Sequence, residues 1–335
     1  MSREFLMIVE ESAFKTPVAS PVVWTTATTY GLANASAYYV RLDGGNAFTM
    51  RPHPVQKEIP YGGGLAIGRN RISDKQEVKG RLSLKLCTST APFFLSWGGV
   101  LVNSAGTAPW TYGGSTGGDL ASCSVYHGIV RSDFSIKRRV YLGTKVAGWD
   151  LETSEDSTDV TLHLELVAST PQGNQFDSSL DPTSVVFPAP ADDNFSDDFM
   201  VFTHAGGASF IDYGGTVRTQ FTDLHVSVRN KIARKYFANK YVQLLENFGR
   251  DTTIATKLLY APTPDDRTNY EGLTSEAVSI KINNGTHGFT IGCNAQNVFE
   301  QLEDDLPLQD FYMQTSTEKN LYDPVAGSDF TLTFS

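Results

Sequence analysis

Residues 158–164 read TDVTLHL, and residues 328–334 read SDFTLTF. Each opens on a hydroxyl-bearing residue followed by Asp. Each then alternates apolar with polar residues, the period of a strand with one buried face. Two such phrases 170 positions apart in a chain of 335 residues point to an internal repeat of about half the chain.

Other segments recur in the same order. LSLKL (82–86) alternates as a strand. Thr90 is placed to cap a short helix, with Pro92 in its first turn and Gly98–Gly99 as its stop. At an offset of 172 the chain reads IATKLLYAPTPDDRTNYEG (254–272), which sets Leu258 against Leu86 and Pro264 against Pro92. There Thr263 is the candidate cap, Asp265 and Asp266 suit a helix N-terminus, and Gly272 ends the turn. SCSVY (122–126) and AVSIKI (277–282) each read as a strand, and YLGTKV (141–146) parallels TIGCNA (290–295), Gly143 facing Gly292. The expected organisation is a first module at 1–167, a linker at 168–199 rich in Pro, Ser and Asp, and a second module at 200–335. TDVTLHL then closes the first module and SDFTLTF the second. A Gly/Ser/Thr-rich insert at 104–119 accounts for the changing offset between them.

Composition narrows the function. The 40% hydrophobic and 19% charged content is that of a globular chain, and 29 Gly, 14 Tyr and 20 Phe favour β structure with many turns. No apolar run reaches the ~18 residues of a membrane helix. MSREFLMIVEES has no long apolar core and no cleavage site, so no signal peptide is expected. Cys87, Cys123 and Cys293 lie far apart without a CxxC, which suits reduced thiols in a cytosol. A formal charge of −10 argues against a general nucleic-acid binder.

Catalytic patterns are missing. The six histidines have no metal-ligand spacing, and neither a phosphate loop nor a G-x-S-x-G elbow occurs, Gly62–Gly64 included. His163 and Glu165 share a face of one strand, but such pairs are mostly surface decoration. Asp192–Asp193, Asp197–Asp198 and Glu303–Asp305 read as solvated charge. No enzyme and no cofactor or metal is expected.

Two long stretches, 51–80 and 228–251, read as loops, and long loops in compact domains commonly carry function. The second mixes Lys231, Arg234, Lys235 and Lys240 with Tyr236, Phe237 and Tyr241, which reads as a solvated or subunit-contacting arm. Tyr61, Arg69, Lys231, Arg234, Lys235, Tyr236 and Tyr241 are the candidates for contact between assembled copies.

The order EVKGRLSLKL, APFFLSWGG, a Gly/Ser/Thr loop, DLASCSVYHG, Tyr141-x-Gly143-x-Lys145-Val146 and TDVTLHLEL resembles the tail tube proteins of long-tailed bacteriophages over roughly residues 75–167. The second module is looser, with Asn294 and Ala295 where the first has Lys145 and Val146. The resemblance implies a mainly β fold of two tandem tube modules. Each would be a sandwich or partial barrel of antiparallel sheets with a short flanking helix. It further implies rings whose inner strands join into a barrel, stacked head-to-tail into a hollow tube for DNA ejection. Family rings are mostly hexamers of one module, so two modules per chain imply a trimeric pseudo-hexameric ring, with a true hexamer as the variant. The implied partners are further copies of the chain, the tape-measure, terminator and distal tail proteins at the tube ends, and viral DNA passing without sequence-specific contact. No membrane is involved. The implied location is the virion tail, reached from the host cytoplasm. The acidic balance suits a lumen that repels phosphate. The competing reading is a two-domain β-sandwich that binds carbohydrate through Trp24, Trp110 and Tyr112.

Overall fold

The protein is described by a computed structural model. It covers residues 3–16, 22–23, 36–42, 46–59, 69–86, 91–102, 110–114, 120–130, 136–156, 159–172, 209–259, 266–283, 288–305, 312–321 and 329–334. Among the described residues the fold is mainly β and almost wholly antiparallel, with two short helices.

The first half contributes β1 (Arg3–Glu10), β2 (Val22–Val23), β3 (Ser36–Arg41), β4 (Ala47–Ile59), β5 (Arg69–Lys85), α1 (Ala91–Trp97), β6 (Val100–Val102), β7 (Trp110–Gly114), β8 (Cys123–Val130), β9 (Ile136–Thr153), β10 (Thr161–Ala168) and β11 (Thr170–Gln172). The second contributes β12 (Phe210–Tyr213), β13 (Thr216–Arg218), β14 (Phe221–Lys235), β15 (Leu244–Leu259), α2 (Asp266–Glu271), β16 (Glu276–Asn283), β17 (Gly288–Asp305), β18 (Met313–Asn320) and β19 (Phe330–Phe334).

Pairing in the first half runs β4–β5–β10–β9–β8–β1–β3. Pairing in the second runs β14–β15–β18–β17–β16–β12–β13. Three pairs of register breaks fall at matching points, while the break between Phe221 and Asp223 has no counterpart in β4–β5. The ladder slips after Pro54 and after Asn230, between Glu165 and Leu166 and beside Phe299, and again after Cys123 and after Glu276. Bulges bend a strand and re-aim its side chains, so shared bulges mark a shared path of the chain.

The long strands β9 and β17 each change partners along their length. The C-terminal part of β9 pairs with β10, while its N-terminal part pairs with β8. One apolar core fills the space between. Leu82, Leu84, Leu162, Leu164, Trp97 and Trp149 from the first half join Val226, Ile254, Ile280, Ile291 and Leu332 from the second, all at most 3% exposed. Helix α1 is a plug: Phe93, Phe94, Leu95 and Trp97 are all buried, and Trp97 donates its indole N–H to the Thr144 carbonyl at 3.3 Å. It stops where expected, with Gly99 at φ +92°.

Several expectations change. Of TDVTLHL, Thr158 lies outside the described residues and TLHL (161–164) opens β10, between β5 and β9; the strand in the corresponding position between β15 and β17 is MQTSTEKN (313–320). The FTLTF of SDFTLTF forms β19 (Phe330–Phe334), which pairs with the N-terminal part of β17 as Thr170–Gln172 pairs with β9. Gly143 sits beside the β9 bulge at φ +61°, whereas Gly292 pairs regularly with Ser279 and Thr331, so the two glycines are not counterparts. Stretches 51–80 and 228–251 lie largely in strands: they belong to the hairpins β4–β5 and β14–β15. Of the expected linker, Ala168 ends β10, Thr170–Gln172 forms β11 after a bend at Ser169, and the rest lies outside the described residues.

Candidate assembly interface

The two halves share one sheet. The C-terminal part of β9 pairs with β14 from Arg229↔Gly148 to Leu224↔Thr153. Gly148 is required there, because a Cβ would lie 2.8 Å from the Val228 carbonyl and 3.0 Å from the Arg229 side chain. Asp150 is clamped by Arg229, whose Nη2 donates to both carboxylate oxygens at 2.8 and 2.9 Å, with His225 at 3.3 Å. Burial alone would raise the Asp150 carboxyl; hydrogen bonds from His225, Arg229 and Ser227 override it and hold it down at about 2. The order across this junction is β4–β5–β10–β9–β14–β15–β18–β17, eight strands in two like sets of four.

The ends of that row are β4 and the Gln301–Asp305 stretch of β17. Among the described residues neither has a second neighbour. Pro52 and Pro54 fit an edge strand, since proline has no N–H to give a ladder.

The sheet face turned away from the core is polar. Arg51, Lys79, Arg81, Lys85, Arg229, Lys257 and Lys319 share it with Asp150, Glu152, Glu165, Asp223, Asp251 and Glu303. Many of these charges are already paired: Lys85 with Asp159, Lys79 with Glu77 at 3.6 Å, Lys231 with Asp251 at 2.9 Å. His163 is held by Ser83 at 2.7 Å and by Glu152 at 2.5 Å, and Glu165 is not its partner in these bonds. Two open hollows lie on this face, one lined by Glu152, Asp223, His225 and Lys257, the other by Arg51, Lys79, Arg81 and Glu165. No group of three or more metal-binding side chains occurs among the described residues, and no described helix is long and apolar enough to cross a membrane.

The β14–β15 hairpin folds back onto the first half. Arg234 pairs with Glu77, Lys75 lies 5.2 Å over the Tyr236 ring, and Gln76 donates its N–H to the Lys240 carbonyl at 2.8 Å beside Tyr241. Lys145 spans the gap to donate to the Leu245 carbonyl at 2.9 Å, and Val167, Val242 and Leu245 form a small apolar cluster beneath. Three residues expected to contact another copy, Arg234, Tyr236 and Tyr241, therefore make contacts inside their own chain. Lys231 pairs within its hairpin, and Lys235 is exposed. Arg69 pairs in backbone register with Ile59, and Tyr61 lies outside the described residues. Phe237, at the hairpin tip, is 66% exposed with φ 44°. Its place in a basic–aromatic run was legible, but only the fold separates it from its docked neighbours.

Of the aromatics set aside for sugar stacking, Trp110 and Tyr112 lie in β7, whose backbone pairs with Phe334 and Leu332 of β19. Trp24 lies outside the described residues. Cys123 and Cys293 are free and buried, and burial pushes both thiols well up. The chain matches no protein-family model and no curated protein.

Proposed function

We propose that this chain is a structural subunit of a bacteriophage tail tube, built from two fused tube modules, three copies of which close a ring. Rings stack head-to-tail around a channel through which the genome leaves the virion. The observation that carries this reading is the eight-strand row, two like sets of four with, among the described residues, an open edge at each end. A row that has already joined one set to the next within the chain has the means to join the next chain, and closure removes both edges.

Strand number sets the bore. Strands are spaced about 4.8 Å apart and tilt about 40° in a barrel, so two chains would close a ring about 30 Å across at the backbone and three about 45 Å. Only the wider ring holds side chains on both walls and a DNA duplex between them. The channel wall in this reading is the polar sheet face. Its charges are nearly balanced, and Lys79, Lys85, Arg229 and Lys319 are paired with carboxylates, which favours a self-neutralised lumen in this reading over an acidic one. Paired charges offer a polyanion few free cations to bind, which suits sliding.

Ring-to-ring contact falls to the hairpin arms, where Lys235 and Phe237 remain exposed. The tube ends would meet the tape-measure, terminator and distal tail proteins. Assembly would take place in the host cytoplasm and the product would reside in the virion tail. Negative-stain electron microscopy with mass photometry, over rising protein concentration, tests the reading. Hollow rings or tubes with a ring mass of three chains are expected; a ring mass of six overturns the fused-module count, and a chain that stays monomeric throughout contradicts the tube.

A further inference from the structure

The junction inside the chain is a template for the junction between chains. The bulges supply its coordinates. The break in β4–β5 follows Pro54, opposite Gln76; the break in β14–β15 follows Asn230, opposite Arg250. Pro54 and Asn230 therefore hold like positions. In the same way, Gly148 opposite Glu165 and Gln301 opposite Thr317 each sit just beyond a bulge, and hold like positions on β9 and β17. The internal junction sets Arg229 against Gly148 and Ser227 against Asp150. Carried to the open edges, the same register sets His53 against Gln301 and Arg51 against Glu303.

Chemistry at the edges fits that register. Arg51, His53, Gln301 and Glu303 are all exposed. Arg51 and Glu303 lie on the same polar face as Asp150 and are opposite in sign. A cation thus meets a carboxylate across the edge, as Arg229 meets Asp150 within the chain. Gly148 makes room for the long Arg229 side chain; where the shorter His53 stands in its place, Gln301 stands in place of the glycine.

The backbone agrees. A proline turned towards β5 would break that ladder, so Pro52 and Pro54 turn their backbone groups to the open edge, and Phe48 and Met50 share that parity. The Met50 carbonyl, on that side, accepts a bond from the Tyr141 hydroxyl at 2.8 Å. Position 50 would then form a hydrogen-bonded pair with position 304. Position 51 would form a non-hydrogen-bonded pair with 303, the kind whose Cα atoms lie about 4.5 Å apart. Two prolines also leave this edge lean in N–H donors, which shifts selectivity to side chains.

We propose that β4 of one copy pairs antiparallel with the end of β17 of the next in this register, with Arg51 facing Glu303 across every copy-to-copy seam. The proposal rests on the tube reading and names its partner, a second copy of this chain, and the residues that select it.

The test uses the full chain carrying Arg51→Cys together with Glu303→Cys, assembled, oxidised and run without reductant. A ladder of crosslinked species ending at three chains is expected, collapsing on reduction and absent from either single variant. A companion chain with Thr49→Cys and Glu303→Cys, a two-residue slip, should crosslink at least about tenfold less. In parallel, Arg51→Glu and Glu303→Arg should each raise the concentration needed for assembly about tenfold, and the two together should restore it. Rings that crosslink through the slipped pair, or not at all, overturn the register and leave the tube standing. Absence of both rings and crosslinks overturns the two together.

Discussion

Strands β10 and β18 hold the same position in the two halves and bury opposite chemistry. Strand β10 turns Leu162, Leu164 and Leu166 into the core between β5 and β9. Strand β18, between β15 and β17, turns Gln314, Ser316, Glu318 and Asn320 inward, each at most 4% exposed. The contrast extends to the helices. Four large apolar side chains of α1 are buried, whereas the buried residue of α2 is Asp266. The first half is held here by apolar area, each leucine worth roughly 1.5–3 kcal/mol. The second is held here by sets of buried polar contacts. Arg218 clamps Asp266 and reaches Gln314 at 3.5 Å, Tyr213 and Ser316 share Thr256, and Asn320 donates to the Asp329 carbonyl at 2.7 Å. A backbone path sets where side chains point, and either kind of interior satisfies it. The kinds differ in how they fail. An apolar core loses area gradually, while a polar one loses a great deal when a single partner goes.

The largest expected effect tests that difference at the ion pair. Asp266→Asn leaves Arg218 charged and buried, with both residues at most 7% exposed in the native pair. The cost should be about 3–5 kcal/mol by urea denaturation. Replacing both at once, Arg218→Met with Asp266→Leu, should return most of it, because desolvation offsets much of the value of a buried pair. A double variant as unstable as the single one would mean that the polar network, and not the pair alone, fixes the second core.

A matched substitution sharpens the comparison next. Leu164→Ala removes a fully buried side chain from the apolar core and should cost about 2–5 kcal/mol. Ser316→Ala, at the corresponding position, deletes one hydroxyl that joins Thr256 at 2.8 Å and Glu318 at 3.2 Å, and should cost about 1–3 kcal/mol. Equal losses would show that the two interiors respond alike despite their chemistry.

The same contrast explains what could be read from the sequence. LSLKL and APFFLSWGG were legible because their buried residues are apolar and recur at strand or helix spacing, with glycines to end the helix. MQTSTEKN was not, because a strand that buries Gln, Ser, Glu and Asn carries no hydrophobic period. The next apolar alternation, SDFTLTF, was therefore paired with TDVTLHL, although it lies on a different ladder. The hairpins read as loops for a related reason. RPHPVQKEI and RNKIARK are charged or proline-bearing, and their partners are set by register rather than by burial. The seam between the halves was invisible, since Gly148, Asp150 and Arg229 lie far apart in the chain and acquire meaning only when β9 meets β14.

Glu318 gives the comparison a pH axis. It occupies the position that Leu166 holds in the first half, is fully buried, and accepts bonds from Asn297 and from Ser316. Burial, with a smaller push from the Asp266 charge, raises its carboxyl from 4.5 to about 7, against bonds from Tyr213, Asn297 and Ser316 that pull it down. The folded state therefore holds a proton that the unfolded chain has released between pH 4.5 and about 7. Over that window the unfolded chain binds fewer protons, so stability falls as pH rises, and it levels off above about 7. The loss is on the order of a few kcal/mol at most. Urea midpoints at pH 5 and pH 8 measure it, against the Glu318→Gln variant, which keeps the shape and removes the titration. The variant should match the parent within about 1 kcal/mol at pH 5 and exceed it at pH 8. Leu166→Gln, at the apolar counterpart, should be destabilised at both values and show no such crossover, because no surrounding network of hydroxyls and amides receives it there. A parent chain whose stability is flat from pH 5 to 8 would show that the network stabilises the Glu318 carboxylate as well as water does.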